Sequence, residues 1–332
     1  MKIFMACPAP PHSRKGNRVS ALRWARLLRE AGHRVSIGQD YDGRPCDVLV
    51  ALHARRSYPA VRTYRRLRPE GPLVVVLTGT DLYRDIRTSR QAQQALQWAD
   101  RLVLLQPLGL RELMPALRRK ARAIIQSAEP LAGPLSKEQR SFQVCVLGHL
   151  RYEKDPLRIA LATRLLPADS RVRIVHAGEA LSAGWARRAR AAEKREPRYH
   201  WLGEVSRRRA RRILARSRLL ALSSRMEGGA NVISEALAEG VPVLASRIAG
   251  SVGLLGAGYP GYFPVGDTAA LAQLLHRAET EPTFYGKLLS WCKKLAPLVE
   301  PARERASWDA LLRDLVSEKR AEHADQDEAM ER

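Results

Sequence analysis

Short apolar runs that do not alternate with polar residues recur along the first part of the chain, at 3–6, 35–37, 48–52, 73–77, 102–105 and 123–125. Between several of them stand stretches with helical apolar spacing, such as "VSALRWARLLREAGHRV", which Gly32 closes. Strands that are apolar on both faces and alternate with helices predict a parallel, doubly wound α/β sheet over 1–135. Around 131–141 the chain reads "LAGPLSKEQRS", polar with Gly and Pro, and is expected to be a linker. The alternation restarts with strands expected at 143–147, 173–176, 218–222 and 241–245, giving a second Rossmann-like domain over 142–296. The two halves are expected to face each other across a cleft. Helical spacing runs from 285 to 316, interrupted by Pro297 and Pro301. The last stretch, 317–332, "SEKRAEHADQDEAMER", has almost no apolar residues and reads as a disordered tail.

Composition narrows the picture. A chain of 332 residues is long enough for two domains with full cores. No apolar run is long enough to span a bilayer, so no membrane span is expected. The opening "MKIFMACPAPP" reads as a strand entering a proline turn rather than a signal peptide. Cys7, Cys46, Cys145 and Cys292 are scattered without a C-x-x-C pair, which points away from a zinc site or disulfide framework and toward a reducing cytoplasm. The net charge of +23 is spread through every expected helix, as in "SRRRARRILARSR". With 6% aromatics and no nucleic-acid-binding motif, most of these arginines are expected to solvate helix faces while the field favours anionic substrates.

Ligands of open parallel sheets bind beyond the carboxyl ends of the strands. There the first half carries "PAPPHSRKGNR", "HARRS" and "TGTD", with Ser13, Arg14, Lys15, Gly16, Asn17, Arg18, His53, Arg55, Arg56, Thr80 and Asp81. Cations beside a helix N-terminus make an anion pocket. The second half offers "GHLRYEKDP", where Gly148 permits a tight turn and Lys154 reaches a phosphate. It also offers "SSRMEGGANVISEAL", where the amides of Gly228, Gly229, Ala230, Asn231 and Val232 open a helix suited to a diphosphate. Glu227 and Glu235 would then bracket a nucleotide sugar, one on the sugar and one on the ribose, about 12 Å apart. The plainer alternative makes Glu227 a helix cap and Glu235 a solvated helix residue. The D-x-D strings at 40–42 and 325–327 fall outside these loops, so no catalytic metal or other cofactor is expected.

The two-Rossmann layout, the Glu-x7-Glu stretch and the Gly-x5-Lys loop resemble a GT-B glycosyltransferase related to glycosyltransferase family 4, up to about residue 316. That resemblance implies an acceptor domain followed by a nucleotide-sugar domain, with the final helix, 297–316, crossing back to the first. It implies that Lys154 meets the diphosphate, Glu227 the sugar and Glu235 the ribose, and that Gly203, Glu204 and Val205 meet the base. Two departures stand out. The loop glycine is followed by His149, leaving the diphosphate to Lys154, Arg151 or Arg225. The usual His-Gly-Thr-Asp reads Thr78-Gly79-Thr80-Asp81, and a hydroxyl cannot serve as a histidine base at neutral pH.

Longer strings in order, "CPAPPHSRKGNRVSALRWARLL", "ALHARRS", "TGTDLYRD", "CVLGHLR", "SRMEGGANVISEAL" and "YPGYFPVGDTAAL", resemble the selenosugar synthases of selenoneine biosynthesis. The resemblance implies transfer of a sugar from UDP-N-acetylglucosamine or UDP-glucose to selenophosphate, then loss of phosphate. An ionised selenium nucleophile needs guanidinium and ammonium partners more than a base, which suits Arg14, Lys15, Arg18, Arg55 and Arg56. His53 and Asp81 are candidates for positioning or for acid–base work, with Lys154 and Glu227 on the donor side; His53 also fits a satisfied core histidine. Two other readings remain: a glycosyltransferase forming an O- or S-glycoside on a phosphate-bearing, thiol or lipid-linked acceptor, and a nucleic-acid-binding protein exploiting the charge. The oligomeric state is not readable from these residues.

Overall fold

The computed structural model describes residues 1–13, 15–133 and 135–330, without the side chains of 320 and 322–330. Backbone contacts divide the chain into two compact units, Met1–Gln126 with the segment from Pro301 onward, and Ser127–Glu300.

The first unit is built on six parallel strands: β1 (Lys2–Ala6), β2 (Arg34–Gly38), β3 (Val48–Leu52), β4 (Leu73–Leu77), β5 (Arg101–Leu104) and β6 (Ala121–Ala123), ordered β2-β1-β3-β4-β5-β6. Every residue of β3 and β4 is buried, because helices cover both faces. Leu49, Val75 and Leu77 enter one core, while Val50, Val74 and Val76 enter another on the opposite face. Strand order reverses between β1 and β3, so a crevice opens between the loops that follow them.

The helix Pro301–Met330 completes the second of those cores. Trp308 is fully buried, its ring 5.1 Å from that of Trp24. The buried Glu304 carboxylate accepts hydrogen bonds from Arg23 Nε at 3.1 Å and Trp24 Nε1 at 2.6 Å, which offset its loss of hydration. The C-terminal helix thus crosses back to the first unit. It starts at Pro301, where a missing N–H costs nothing, and residues 296–299 stay with the second unit as a 3-10 turn. The helix also runs through the stretch expected to be a tail. Ala, Glu, Lys, Arg and Gln are strong helix formers and sustain a helix without an apolar stripe.

The second unit has its own six parallel strands: β7 (Phe142–Leu147), β8 (Val172–Ala177), β9 (Tyr199–Trp201), β10 (Leu219–Leu222), β11 (Val243–Ser246) and β12 (Tyr262–Phe263), ordered β12-β11-β10-β7-β8-β9. Here the order reverses between β7 and β10. The edge strands β9 and β12 escape a search for apolar runs because they are only three and two residues long. The expected linker is attached to this unit: Leu131 N donates to Glu239 at 2.9 Å, Lys137 Nζ to the Ala215 carbonyl at 2.9 Å, and Glu138 N to the Arg216 carbonyl at 3.0 Å. The boundary therefore falls after Gln126, earlier than the change in composition. No helix among the described residues is long and apolar enough to cross a membrane.

Removing the indole that closes the core of the first unit tests this arrangement. Trp308→Ala is expected to cost about 3–5 kcal/mol of stability, read as a lowered denaturation midpoint of the first unit; an unchanged midpoint contradicts the packing.

Candidate functional site

Both strand-order reversals gather the residues singled out in the sequence. In the second unit, the Gly148 amide donates to the Ala177 carbonyl at 3.0 Å and the Leu150 amide to the Glu179 carbonyl at 2.8 Å. The loop after β7 therefore runs beside the end of β8. This approach demands Gly178: a Cβ there would stand 1.9 Å from the Gly148 oxygen. Beneath the loop, the fully buried His176 donates from Nε2 to the Gly148 carbonyl at 3.2 Å, while Nδ1 accepts from the Tyr199 hydroxyl at 2.8 Å. A carbonyl can only accept, which places the ring proton on Nε2. Burial pushes the His176 pKa down to about 4.

The loops after β7 and β10 are sewn together. Ser223 Oγ donates to the Asp155 carbonyl at 2.8 Å and Arg225 N to the Glu153 carbonyl at 2.8 Å. The buried Ser246 hydroxyl donates to the Ser224 carbonyl. Lys154 Nζ forms an ion pair with Glu227, whose carboxylate also accepts from Ser224 Oγ at 2.6 Å. Gly250 makes room behind Glu227, since a Cβ there would lie 2.1 Å from the Glu227 carbonyl oxygen. Residues 228–230 then lead into the helix Asn231–Ala238, whose N-cap Ala230 supplies no side-chain cap. Glu235 sits in the second turn of that helix, largely buried, 3.4 Å from Arg207. Arg207 opens the helix Arg207–Arg216, immediately after the loop of Gly203, Glu204 and Val205. Gly203 (φ +69°) accepts from the Gly178 amide at 2.8 Å, which ties that loop to the same edge.

The remaining expected cations of this unit are engaged. Arg225 lies 3.5 Å from Asp155 and over the Tyr152 ring, Arg151 lies 3.8 Å from Glu153, and His149 lies 3.9 Å from Glu179. Lys154 is the one aimed at Glu227. His176, Gly178, Ser224, Ser246 and Gly250 were not singled out in the sequence. The signal for Gly178 was its place just after β8; His176 and Ser246 read as ordinary strand-end residues and Ser224 as an ordinary loop residue.

In the first unit, the reversal lies between the loops after β1 and β3. Ser13 Oγ accepts from the Lys15 amide at 3.2 Å, and Lys15 is the extended N-cap of the helix Gly16–Glu30. Lys15 and Gly16 are exposed, while Asn17 and Arg18 are half-buried. Arg14 lies outside the described residues. His53 leaves β3 with φ +75° and a buried ring. Its Nδ1 accepts from the Arg56 amide at 3.3 Å, and its Nε2 lies 3.1 Å from Thr80 Oγ1. The Thr78-Gly79-Thr80-Asp81 string, which lacks a histidine of its own, thus meets one from the neighbouring strand.

Asp81 is fully buried and holds backbone: it accepts from the amides of Ala54 at 3.0 Å, Thr78 at 2.9 Å and Gly79 at 2.8 Å. The π-helical turn Asp81–Asp85 brings in a second buried carboxylate, which the sequence reading missed. Asp85 lies 3.3 Å from Arg84, 3.6 Å from Arg55 and 3.9 Å from His53 Nε2. Burial lowers the His53 pKa more than Asp81 and Asp85 raise it, so the ring is neutral. Arg56 is exposed, and among the described residues neither it nor Arg18 nor Lys15 forms an ion pair. No three His, Cys, Asp or Glu side chains cluster as metal ligands among the described residues. Of the D-x-D strings, Asp42 is held by Arg44 at 2.9 Å, and the side chains of 325–327 lie outside the description.

The model of the glycosyl transferases group 1 family matches residues 129–296. The chain belongs to that family. No curated protein sequence gave a match. Among solved structures, this glycosyltransferase is similar to HepE of Anabaena, solved with UDP and glucose, at 17% identity over 95% of this chain and 100% of that one (TM-score 0.74). It is similar to sucrose-phosphate synthase of Thermosynechococcus elongatus at 14% identity, covering 95% and 99% (TM-score 0.75). A UDP-forming α,α-trehalose-phosphate synthase of Burkholderia vietnamiensis follows at 16%, covering 90% and 77% (TM-score 0.68). At such identities the likeness is one of fold, and the fold is GT-B.

The buried His176 makes the glycosyltransferase acid-sensitive. Its folded pKa near 4 lies below the ordinary histidine value of 6.5, so the unfolded chain binds the proton first. The His176 contribution is full at pH 7, falls as the pH drops from 6.5 toward 4, and levels off below. The His176 share is expected to be about 3 kcal/mol. Urea midpoints at pH 7 and pH 4 for wild type and His176→Gln read that share as the difference between their slopes; equal slopes contradict it.

Proposed function

We propose that this group 1 glycosyltransferase is a selenosugar synthase. It transfers the sugar of UDP-N-acetylglucosamine or UDP-glucose to selenophosphate, and loss of phosphate then leaves a 1-selenosugar. Selenium supplies the electron pair of a new bond to the anomeric carbon, and the carbon–oxygen pair departs with UDP. Water next takes the phosphoryl group, the phosphorus–selenium bond breaks, and inorganic phosphate and a selenol remain.

The observation that carries this reading is the state of the potential bases in the first unit. Asp81 is held by three backbone amides, His53 Nδ1 already accepts from Arg56, and Asp85 is flanked by two arginines. A hydroxyl acceptor must lose a proton, and such chemistry wants a tuned base in reach. Exposed cations with no available base instead suit a nucleophile that arrives ionised. The ordered strings that resemble the selenosugar synthases support selenophosphate as that nucleophile. UDP as the donor carrier is supported by the relatives of this fold solved with UDP or described as UDP-forming.

In this reading the second unit holds the donor. Gly203, Glu204 and Val205 flank the base, Glu235 takes the ribose, and Glu227 the sugar hydroxyls. The amides at the start of Asn231–Ala238 take the diphosphate with Lys154, and both stabilise the charge that develops on it. Lys154 exchanges part of its pairing with Glu227 for the diphosphate. Arg18, Arg56 and Lys15, with Arg55 shared with Asp85, take the acceptor anion. The cytoplasm is the compartment in which the four buried thiols and a selenol stay reduced.

Mass spectrometry after incubation with a UDP-sugar and selenophosphate is expected to show a 1-selenosugar, UDP and phosphate. UDP release only with hydroxyl or thiol acceptors would sink the proposal. Glu235→Ala is expected to weaken UDP binding at least tenfold, the order of one or two lost hydrogen bonds to a charged group. Arg56→Ala should raise the acceptor KM by a similar factor and leave UDP affinity alone. Equal losses of UDP affinity in both variants would contradict this division between the units.

A further inference from the structure

His53 has φ +75°, a backbone region that is uncommon outside glycine although histidine enters it more readily than most residues, and its ring is buried at a strand end. Strain of this kind persists where surrounding contacts over-determine it. Here those contacts also fix a direction for protons. The Arg56 amide donates to Nδ1 at 3.3 Å, so that nitrogen carries no hydrogen. The neutral ring then bears its single proton on Nε2, 3.1 Å from Thr80 Oγ1, and Thr80 is the acceptor. A hydroxyl that accepts this way keeps its own proton to give. The Thr80 side chain is half-buried and makes no other hydrogen bond among the described residues.

The carboxylates around the ring, Asp81 Oδ2 at 3.8 Å from Nδ1 and Asp85 Oδ2 at 3.9 Å from Nε2, lie beyond hydrogen-bond distance and are engaged elsewhere. Asp81 Oδ1 is taken by the Thr78 and Gly79 amides and Oδ2 by that of Ala54. Asp85 lies against Arg84 and Arg55, at 3.3 and 3.6 Å. The Arg56 amide, the imidazole and the threonine form a chain in which the amide donates to the ring and the ring to the hydroxyl.

We propose that His53 is a positioning residue that leaves the Thr80 hydroxyl its own proton to donate, and that Thr80 selects acceptors presenting a charged phosphoryl oxygen over neutral hydroxyls. A phosphoryl oxygen accepts from Thr80 and gains a charge-assisted bond. A neutral hydroxyl group that must shed its proton finds there a hydroxyl too weakly basic to take it. This inference rests on the reading that places the acceptor anion at this edge of the first unit, and it names the residue that does the discriminating.

Three measurements test it. Nitrogen-15 spectra of labelled histidine are expected to give the Nε2–H tautomer for His53. Calorimetric titration with inorganic phosphate, and UDP release with selenophosphate, are then compared across Thr80→Val, Thr80→Ser, His53→Gln and His53→Leu. Thr80→Val should raise the phosphate Kd and selenophosphate KM about tenfold, with kcat and UDP affinity far less affected, and serine should restore both. His53→Gln keeps an N–H donor and should stay close to wild type, whereas His53→Leu should follow Thr80→Val. A glutamine variant as dead as leucine would mean that His53 moves protons, overturning the assignment. So would an Nδ1–H tautomer, or phosphate affinity indifferent to Thr80→Val, including no phosphate binding at all. Thr80-dependent phosphate binding without selenophosphate-dependent UDP release would instead retire the selenosugar reading and keep this one.

Discussion

Burial of both faces of a parallel sheet is the constraint from which the rest of this molecule follows. When helices cover β3 and β4 completely, a polar side chain inside the strand would face hydrocarbon on either side. Chemistry is therefore displaced to the loops at the carboxyl edge. Strand order then decides which loops have space beside them, and in each unit the order reverses once. The residues gathered there, His53 and Thr80 in one unit and Lys154, Glu227 and Glu235 in the other, stand where the topology leaves a crevice.

The large positive charge has a more structural use than solvating helix faces. Arg65 donates to the carbonyls of Trp98, Pro69 and Gly71, Arg198 to those of Pro167 and Thr163, and Arg211 to that of Glu129. These groups lie where helices and turns end with carbonyls unpaired, and a guanidinium satisfies several at once. Many arginines thus serve as loop fasteners. Arg18, Arg56 and Lys15, which form no ion pair among the described residues, belong to the loops around the reversal in the first unit.

Most of the strand framework was legible because buried parallel strands write themselves as unbroken apolar runs; β3 and β4 fall on the expected residues. The short edge strands β9 and β12 were not, since two or three residues carry no period. The loops of the site were legible as clusters of glycine and charge, but the pairing inside them was not. Nothing in "TGTDLYRD" announces that Asp81 clamps three amides or that a π-helical turn carries Asp85 inward. Nor does "VHAGEA" reveal that Gly178 touches the oxygen of Gly148. Those relations join residues of different strands, and periodicity along one segment has no access to them. The helix over 317–330 was not legible for a related reason, because lack of apolar residues excludes a core but not a helix.

The joint between Glu304 and the Arg23–Trp24 pair spans 281 residues from Arg23. During synthesis the N-terminal sheet emerges from the ribosome first, with one of its two apolar faces still lacking Trp308 and Leu312. The whole second unit must be translated before that face can be covered. A nascent chain with an open hydrophobic flank for so long is a natural client for chaperones, and a stop codon anywhere before residue 301 would leave the first unit permanently unsealed.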